Sequence, residues 1–327
     1  MATVNTDFLV QAQENATLRN LLQSADMCTA DGMPLVWGSK LFGAPLKERV
    51  AGSDMVPQLA ARAARKNMTL YFMGAAPGVA AQAAELLEAQ HPGLRIVGHS
   101  CPFWKPGEAF DEVILDDIRT ANPDILLVAL GNPKQELWIK EYGEQVGVPV
   151  MIGVGASLDF IVGTVKRAPE WMQHAGLEWL ARLAQEPRRL WKRYAIDIVK
   201  FGPSLFRQWL SMGNDETAAP LTIQTNVIGG TAVLNLSGSL TYGSRYLLQQ
   251  NVRKVGQYDI TINLADVTDM DCTTAGTLMQ LKQRIQRQGG EFRLVGLRDS
   301  LAQKFRTLQL FEYFNLSKQN LALGYQG

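Results

Sequence analysis

Apolar segments alternate with amphipathic segments through the first half of the chain. Continuous apolar runs rich in β-branched residues are typical of strands buried on both faces, whereas an apolar position every three to four residues is typical of helices. Strands are predicted at residues 68–75, 94–99, 125–131 and 149–155, and helices at 53–66, 77–90, 107–121 and 134–146. This alternation predicts an α/β fold with a Rossmann-like parallel sheet, in which ligands bind at the carboxyl ends of the strands.

The second half of the chain has a different organisation. Residues 178–212 are dense in Trp, Leu and Arg, and Pro187 and Pro203 are predicted to break them into short helices. A small polar run follows, and then strand patterns at 221–227, 231–236, 259–264 and 291–295 alternate with helical patterns at 244–255, 274–288 and 300–308. We therefore predict a first domain at 1–177, an appendage at 178–212, a linker at 213–220 and a small α/β domain at 221–327.

Charge is unevenly distributed along the 327 residues, although the formal net charge is only +1. Residues 1–177 carry a net charge of −5, residues 178–212 carry +4 and residues 213–327 carry +2. A basic segment with interleaved aromatic residues is typical of an element that lies on an anionic membrane surface. The alternative is a helical pair that packs its aromatic residues on the core and exposes a basic face. No nucleic-acid partner is expected, because nothing else in the chain supports one.

Cysteine and histidine residues are few and scattered. The three cysteines form no CxxC pair and the three histidines form no metal-ligand spacing, so reduced thiols and no metal site are expected. Neither an export signal nor a membrane-spanning segment is predicted. The sequence therefore predicts a cytoplasmic protein.

Polar residues cluster where the predicted strands end. Loops of this kind offer free backbone N–H groups, and those that begin a helix are suited to binding phosphate. Each polar residue also has a local interpretation. Asn5 or Thr6 could cap a helix at 7–23, Asp31 could form an Asx turn before Gly32, and Arg49 could be a surface cation paired with Glu48.

Five ordered motifs resemble the WecG/TagA/CpsF glycosyltransferases over about Thr3 to Leu210. They are Ala30-Asp31-Gly32-Met33, the run from Glu48 to Asp54, the run from Gly131 to Glu136, Gly153-Val154-Gly155-Ala156 with Asp159-Phe160, and Arg167-Ala168-Pro169. The resemblance implies an inverting enzyme that needs no metal or other cofactor. It implies transfer of a sugar, typically of the N-acetylmannosamine type, from a UDP-sugar to a polyprenyl-diphosphate-linked sugar at the cytoplasmic face of the plasma membrane.

Roles for individual residues follow from the same resemblance. Asp31 corresponds to the general base that deprotonates the acceptor hydroxyl, and Thr3 and Asn5 correspond to polar residues beside it. Arg49 and Gln135 correspond to contacts with the nucleotide-sugar. The remaining residues of the expected substrate site are Gly74, Pro77, Gly78, Asn132, Lys134, Glu136 and Asp159.

Two further features are expected to affect activity, namely the arginines of the appendage and the short segment before Thr3. In the resembling family the appendage docks at the membrane and supplies arginines to the acceptor diphosphate, for which the candidates here are Arg182, Arg188, Arg189 and Arg193. Family members usually begin with a further strand and helix before the segment matching Thr3-Val4-Asn5. Either the start codon is misassigned, or this version lacks that element, in which case Thr3 is expected to be poorly anchored. The alternative function is therefore a non-catalytic regulator that senses a UDP-sugar and acts through the second domain.

Residues from about Leu221 to Ser317 resemble a STAS domain. The resemblance rests on Val233 to Gly238, on Ile262 to Val267 and on Met270 to Gly276, which opens a helix. STAS domains often carry a phosphorylated serine at that helix start, and here the position is Cys272, followed by Thr273. A fixed docking or self-association module is therefore expected, unless Thr273 takes the phosphate.

Overall fold

The computed structural model describes residues 1–41, 45–174, 176–211, 219–255, 259–308 and 310–316. It forms two units, one of Met1–Gly38 with Leu46–Arg207 and the other of Ser39–Pro45 with Gln208–Gly327. In the described ranges, no helix has the length and apolar character needed to cross a membrane.

A six-stranded parallel sheet forms the centre of the first unit, which confirms the predicted fold class. The strand order is β2-β1-β6-β5-β3-β4. The strands are β1 (Ala2–Val4), β2 (Cys28–Ala30), β3 (Thr69–Gly74), β4 (Arg95–Ser100), β5 (Ile125–Ala129) and β6 (Val150–Gly153). The apolar pattern did not reveal β1 and β2, which have three residues each. They are held by pairing, with Thr3 opposite Thr29 and Ala2 opposite Gly153.

Helices cover both faces of this sheet. In β3, Leu70 and Phe72 pack into one core and Tyr71 and Met73 into the other, because successive side chains of a strand point to opposite faces. This explains the continuous apolar run of β3. The helices are α1 (Thr6–Glu14), α2 (Ala16–Ser24), α3 (Met33–Leu41), α4 (Gly52–Lys66), α5 (Val79–Gln90), α6 (Glu112–Ala121), α7 (Lys134–Val146), α8 (Ser157–Val162), α9 (Glu170–His174), α10 (Glu178–Gln185) and α11 (Pro187–Ser211).

Three predicted helix boundaries were wrong, and the first is the helix expected from residue 107, which begins only at Glu112. The helix expected at 7–23 is divided into α1 and α2 at Asn15, whose side chain accepts the Leu18 N–H at 3.1 Å and so starts a new helix. Pro187 does begin α11, but Pro203 does not end it. Pro203 is exposed, so solvent can hydrate the carbonyl group that the missing N–H leaves without a partner.

The second unit has a mixed four-stranded sheet in the order β10-β9-β8-β7, in which β7 alone is antiparallel to its neighbour. Its strands are β7 (Thr222–Ile228), β8 (Thr231–Leu240), β9 (Asp259–Met270) and β10 (Phe292–Val295), and its helices are α12 (Arg245–Val255), α13 (Cys272–Arg287), α14 (Asp299–Thr307) and α15 (Leu310–Tyr313). All four predicted strands are present. Strand β9 runs past the predicted end at residue 264 because Val267 and Met270 still pair with β8 and are buried.

Candidate active site

Most of the residues expected in the site lie at the carboxyl edge of the six-stranded sheet. Asp31 directly follows β2, Gly74 ends β3, and Gly153 ends β6. Asn132 and Gln135 lie in the connection from β5 to α7 and at the start of that helix. Parallel strands place these ends side by side, so residues far apart in sequence form one crevice.

Thr3 is firmly anchored in β1, so the expectation that it would be loosely held was wrong. It is 5% exposed, and its hydroxyl group donates a hydrogen bond to the Gly153 carbonyl at 2.9 Å. The strand lies between β2 and β6, and pairing on both sides fixes it. Asn5 caps α1, and its side-chain oxygen accepts the Phe8 N–H at 3.2 Å. Its local interpretation as a helix cap is thus correct.

Asp31 is a largely buried carboxyl group in a charged environment. Burial raises its pKa to about 6, and the nearby carboxylate of Glu178 acts in the same direction. Arg49, Arg182 and a hydrogen bond from the Gly52 backbone N–H act against this by favouring the ionised form. A carboxylate with a pKa close to neutrality can accept a proton at neutral pH.

Arg49 belongs to a network of ion pairs and not to a surface pair with Glu48. Its guanidinium group donates to Asp54 at 2.8 Å and to Glu178, and its side chain is only 15% exposed. Asp54 also pairs with Arg167. Because α10 supplies Glu178, the appendage contributes directly to the crevice.

The four arginines expected in the appendage occupy different places. Arg182 lies with its guanidinium carbon 5.2 Å from the centre of the Phe160 ring, and its charge acts on Asp31. Arg188 is exposed, and the side chain of Arg189 lies outside the described residues. Arg193 instead pairs with Asp7, at 3.3 Å between Nε and Oδ2.

Asp7 joins the appendage to the loop after β5. The Asn132 amide donates to Asp7 Oδ2 at 2.9 Å, on the same oxygen that pairs with Arg193. On α11, Asp197 is buried, and burial raises the pKa of its carboxyl group to about 6. The negative charge of Asp7 also raises this pKa, and the positive charge of Arg193 lowers it. This cluster holds α11 against the edge of the catalytic unit.

Gln135 and Glu136 form a buried pair at the start of α7. The Gln135 Nε2 group donates to Glu136 Oε1 at 2.8 Å, and Gln135 Oε1 accepts the Gly155 N–H at 3.0 Å. Burial raises the pKa of Glu136 to about 7. The hydrogen bond from Gln135 opposes this rise, because it stabilises the ionised carboxylate. A Cβ atom on Gly153 would lie 2.6 Å from Gln135 Nε2, so glycine is needed there to make room for the pair.

The loop after β3 contains two glycines with positive φ values. Gly74 has φ +105° and Gly78, which precedes α5, has φ +83°, and both values favour glycine. Pro77 and Gly78 are exposed, as a contact with a ligand requires. Lys134 and Asp159, also expected in the site, are partly exposed.

In the second unit, the side chains of Cys272 and Thr273 lie outside the described residues. Asp271 caps α13 by accepting the Thr274 N–H at 2.7 Å and the Thr274 hydroxyl at 2.9 Å. Thr274 is fully buried. A fixed docking or self-association module, with no phosphorylation switch unless Thr273 takes the phosphate, therefore stays a prediction.

Several contributors to the site could not be found from the sequence. Glu178 and Asp7 reach it only through contacts with Arg49 and Asn132 that span more than a hundred positions. Asp54 lies within the motif from Glu48 to Asp54, so for this residue the sequence does offer a local signal. Among the described side chains, no three His, Cys, Asp or Glu residues form a group that could hold a metal ion.

Known protein families resemble the chain on both sides of its predicted linker. The chain matches the family described as "Glycosyl transferase WecG/TagA/CpsF family" over residues 1–215 and the STAS domain over residues 222–321. The N-acetylglucosaminyldiphosphoundecaprenol N-acetyl-beta-D-mannosaminyltransferase of Bacillus spizizenii strain W23 is 36% identical over 193 residues, which are 59% of this chain and 73% of that protein. The Bacillus subtilis strain 168 protein of the same name is 33% identical over 207 residues, or 61% of this chain and 78% of that protein.

A solved anti-sigma factor antagonist from Mycobacterium paratuberculosis matches with a TM-score of 0.29 and 16% identity, over 32% of this chain and 92% of that chain. The family match covers well over half of the residues, and the two Bacillus relatives are similar over most of their length. The chain therefore belongs to the WecG/TagA/CpsF family of glycosyltransferases, with a STAS domain after the glycosyltransferase part.

Proposed function

We propose that this glycosyltransferase moves a sugar of the N-acetylmannosamine type, or a related hexose, from a UDP-sugar to a polyprenyl-diphosphate-linked sugar in cell-surface polysaccharide biosynthesis. The observation that carries the proposal is Asp31, a carboxyl group at the end of β2 whose pKa is raised to about 6 by burial, against the opposing charges of Arg49 and Arg182. The names of the Bacillus relatives, which describe N-acetylmannosaminyltransferases acting on a lipid-linked diphosphate, support the same acceptor class.

The proposed reaction is a single displacement. Asp31 takes the proton of the acceptor hydroxyl, and the hydroxyl oxygen forms a bond to the anomeric carbon. The bond from that carbon to the UDP oxygen breaks, and UDP leaves with the electron pair. Attack from the face opposite the leaving group inverts the anomeric configuration.

The leaving diphosphate requires positive charge and N–H donors. Arg49 and Arg182 lie close enough to Asp31 to affect its pKa, and a guanidinium group can bind phosphate oxygens through two parallel hydrogen bonds. The backbone of the Gly74 to Gly78 loop would hold the nucleotide. With these donors, we propose that the reaction needs no metal ion.

The outer face of α11 supports docking at a lipid surface. Leu190, Asp197 and Phe201 face inward and are buried, whereas the opposite face exposes apolar and basic side chains together. They are Arg188, Trp191, Lys192, Ile196, Ile198, Val199 and Phe206. We propose that this face binds the inner side of the plasma membrane, where a polyprenyl-linked acceptor is anchored. The STAS domain would bind a protein partner or a second copy of the chain.

The proposal is tested by incubating the purified chain with a panel of UDP-sugars and a polyprenyl-diphosphate-linked N-acetylglucosamine acceptor. We expect UDP release with at least one donor, unchanged by EDTA, and loss of release in Asp31→Asn. Asp26→Asn, a change at an exposed carboxylate before β2, is the matched control and should retain activity.

Three results would contradict the proposal. Full activity in Asp31→Asn would remove Asp31 as the base, and loss of activity with EDTA would remove the metal-independent mechanism. Calorimetric binding of a UDP-sugar without turnover of any donor would favour the sensing regulator instead.

A further inference from the structure

The side chain of Glu136 lies buried beside that of Gln135 at the start of α7. It is 7% exposed and follows Gln135, which is 2% exposed, in the first turn of α7. Its Oε1 atom accepts the hydrogen bond from Gln135, and its Oε2 atom is buried without a hydrogen-bond partner among the described residues. An unpartnered buried carboxyl oxygen costs folding free energy, so packing alone does not explain a glutamate here.

The hydrogen bonds fix the orientation of the Gln135 amide. Gly155 offers an N–H, so the Gln135 oxygen must face it, and the Nε2 group must then face Glu136. A glutamine amide has two N–H donors, and the bond to Glu136 uses one of them. The second N–H donor keeps a fixed direction only while Glu136 and the Gly155 N–H hold the two ends of the amide.

The pair packs directly against the strand that also anchors Thr3. A Cβ atom at Gly153 would lie 2.6 Å from Gln135 Nε2 and 2.7 Å from Glu136 Oε1. The carbonyl group of the same glycine accepts the hydrogen bond from Thr3. Any rotation of the Gln135 amide would therefore be transmitted to the residues at the end of β6.

We infer that Glu136 is a positioning residue, which does not touch the substrate and acts by holding the Gln135 amide in the orientation that binds the nucleotide-sugar. This inference rests on the proposed function for the role of Gln135. The carboxyl group supplies an acceptor at one end of the amide, and the Gly155 N–H supplies a donor at the other. A hydrocarbon side chain of equal size could fill the space but could not orient the amide.

Two variants of similar volume separate positioning from packing. Glu136→Met removes the acceptor, and we expect kcat/KM for the UDP-sugar to fall about 10- to 100-fold, mainly through KM, with little change in melting temperature. Glu136→Gln keeps an oxygen that can accept from Gln135, and its kcat/KM should stay within about threefold of the wild-type value. Equal activity of Glu136→Met and the wild type would overturn the inference, as would losses that follow the melting temperature in both variants.

A double-mutant cycle tests whether Glu136 acts through Gln135. Gln135→Met alone should lower kcat/KM, and adding Glu136→Met should lower it by no more than about twofold further, because the orienting group has nothing left to orient. Independent, multiplicative effects of the two substitutions would overturn the inference.

A measurement without turnover keeps this test separate from the proposed function. In two-dimensional ¹H–¹⁵N NMR spectra, the Gln135 side-chain NH₂ signals are identified by their loss in Gln135→Met. We expect them to be shifted and protected from exchange in the wild type and in Glu136→Gln, and to collapse toward free-glutamine values in Glu136→Met. If no UDP-sugar is turned over, the proposed function fails, and these signals still decide whether Glu136 holds the amide. Unchanged signals in Glu136→Met would overturn the inference.

Discussion

Asp31 illustrates how a reactive carboxyl group reduces stability. Its pKa is about 6 in the folded chain, above the ordinary value of 3.8, so the folded state binds more protons than the unfolded state between these pH values. The free energy of unfolding attributable to this group falls as pH rises through that window. Above about pH 6 the ionised carboxylate is a net cost to the fold.

Asp31→Asn should therefore be inactive and more stable. At pH 7.5 we expect its free energy of unfolding to exceed that of the wild type by about 1 to 3 kcal/mol, since an amide avoids the burial of charge. The gain should disappear below about pH 4, where Asp31 is protonated in both states. Urea denaturation of both proteins at pH 7.5 and below about pH 4 measures this difference in unfolding free energy. Asp26→Asn should show no such pH-dependent gain, and an equal gain for Asp31→Asn at both pH values would contradict the explanation.

Glu178, on another element, adds to the effect of burial on the pKa of Asp31, the proposed base. Its carboxylate raises the pKa of Asp31, and it also pairs with Arg49. We expect the acidic limb of the wild-type kcat/KM profile near pH 6, and in Glu178→Gln we expect it to shift to lower pH. Glu144→Gln, which changes an exposed residue of α7, should leave the limb in place. A shift to higher pH would show that Glu178 acts in the opposite sense.

At the scale of single elements, the loop after β3 depends on close approach of two backbones. A Cβ atom on Gly74 would lie 2.6 Å from the carbonyl carbon of Ala129 in β5, and Gly74 also has φ +105°. Gly78 has a positive φ as well, but nothing lies within 4 Å of a Cβ placed there. A substitution at Gly74 therefore causes both steric crowding and backbone strain, whereas a substitution at Gly78 causes backbone strain alone.

Gly74→Ala should cost about 3 kcal/mol or more of unfolding free energy, because β3 and β5 must move apart. Gly78→Ala should cost only about 1 to 2 kcal/mol, from the left-handed backbone alone. Urea denaturation of both variants measures the difference. Equal losses would mean that crowding against Ala129 contributes little.

At the scale of the whole molecule, the outer face of α11 is the candidate contact with lipid. Trp191, Ile198 and Val199 are 53%, 60% and 69% exposed, and Arg188 and Lys192 lie on the same exposed side. Replacing the three apolar residues by alanine should preserve the helix while removing the surface that enters the lipid interface.

The triple variant should bind vesicles that contain phosphatidylglycerol about tenfold or more weakly in co-sedimentation, without a change in melting temperature. High salt should weaken binding of the wild type, because the basic side chains are attracted to the anionic surface. Val113→Ala, at a residue that is 75% exposed on α6, is the matched control and should bind normally. Unchanged binding of the triple variant would contradict the membrane role.

The sequence determined the architecture because its strongest signals are local. Apolar runs such as Ile125–Ala129 specify buried strands whatever the rest of the chain does, and the alternation with helices leads to a parallel sheet. The motifs around Asp31, Gln135 and Gly153 were sufficient to identify the family. The order of these motifs also placed most candidate residues at the carboxyl edge of the sheet.

Only the tertiary structure decided which residues act on one another. Strands β1 and β2 exist because their three-residue segments pair with neighbours, and no periodicity in three residues can reveal that. Glu178 meets Arg49 across 129 positions, and the pair lies beside Asp31. Desolvation and Coulomb interactions depend on distance in space and not on separation along the chain, so the pKa of Asp31 and the hold of Glu136 on Gln135 follow from the folded arrangement alone.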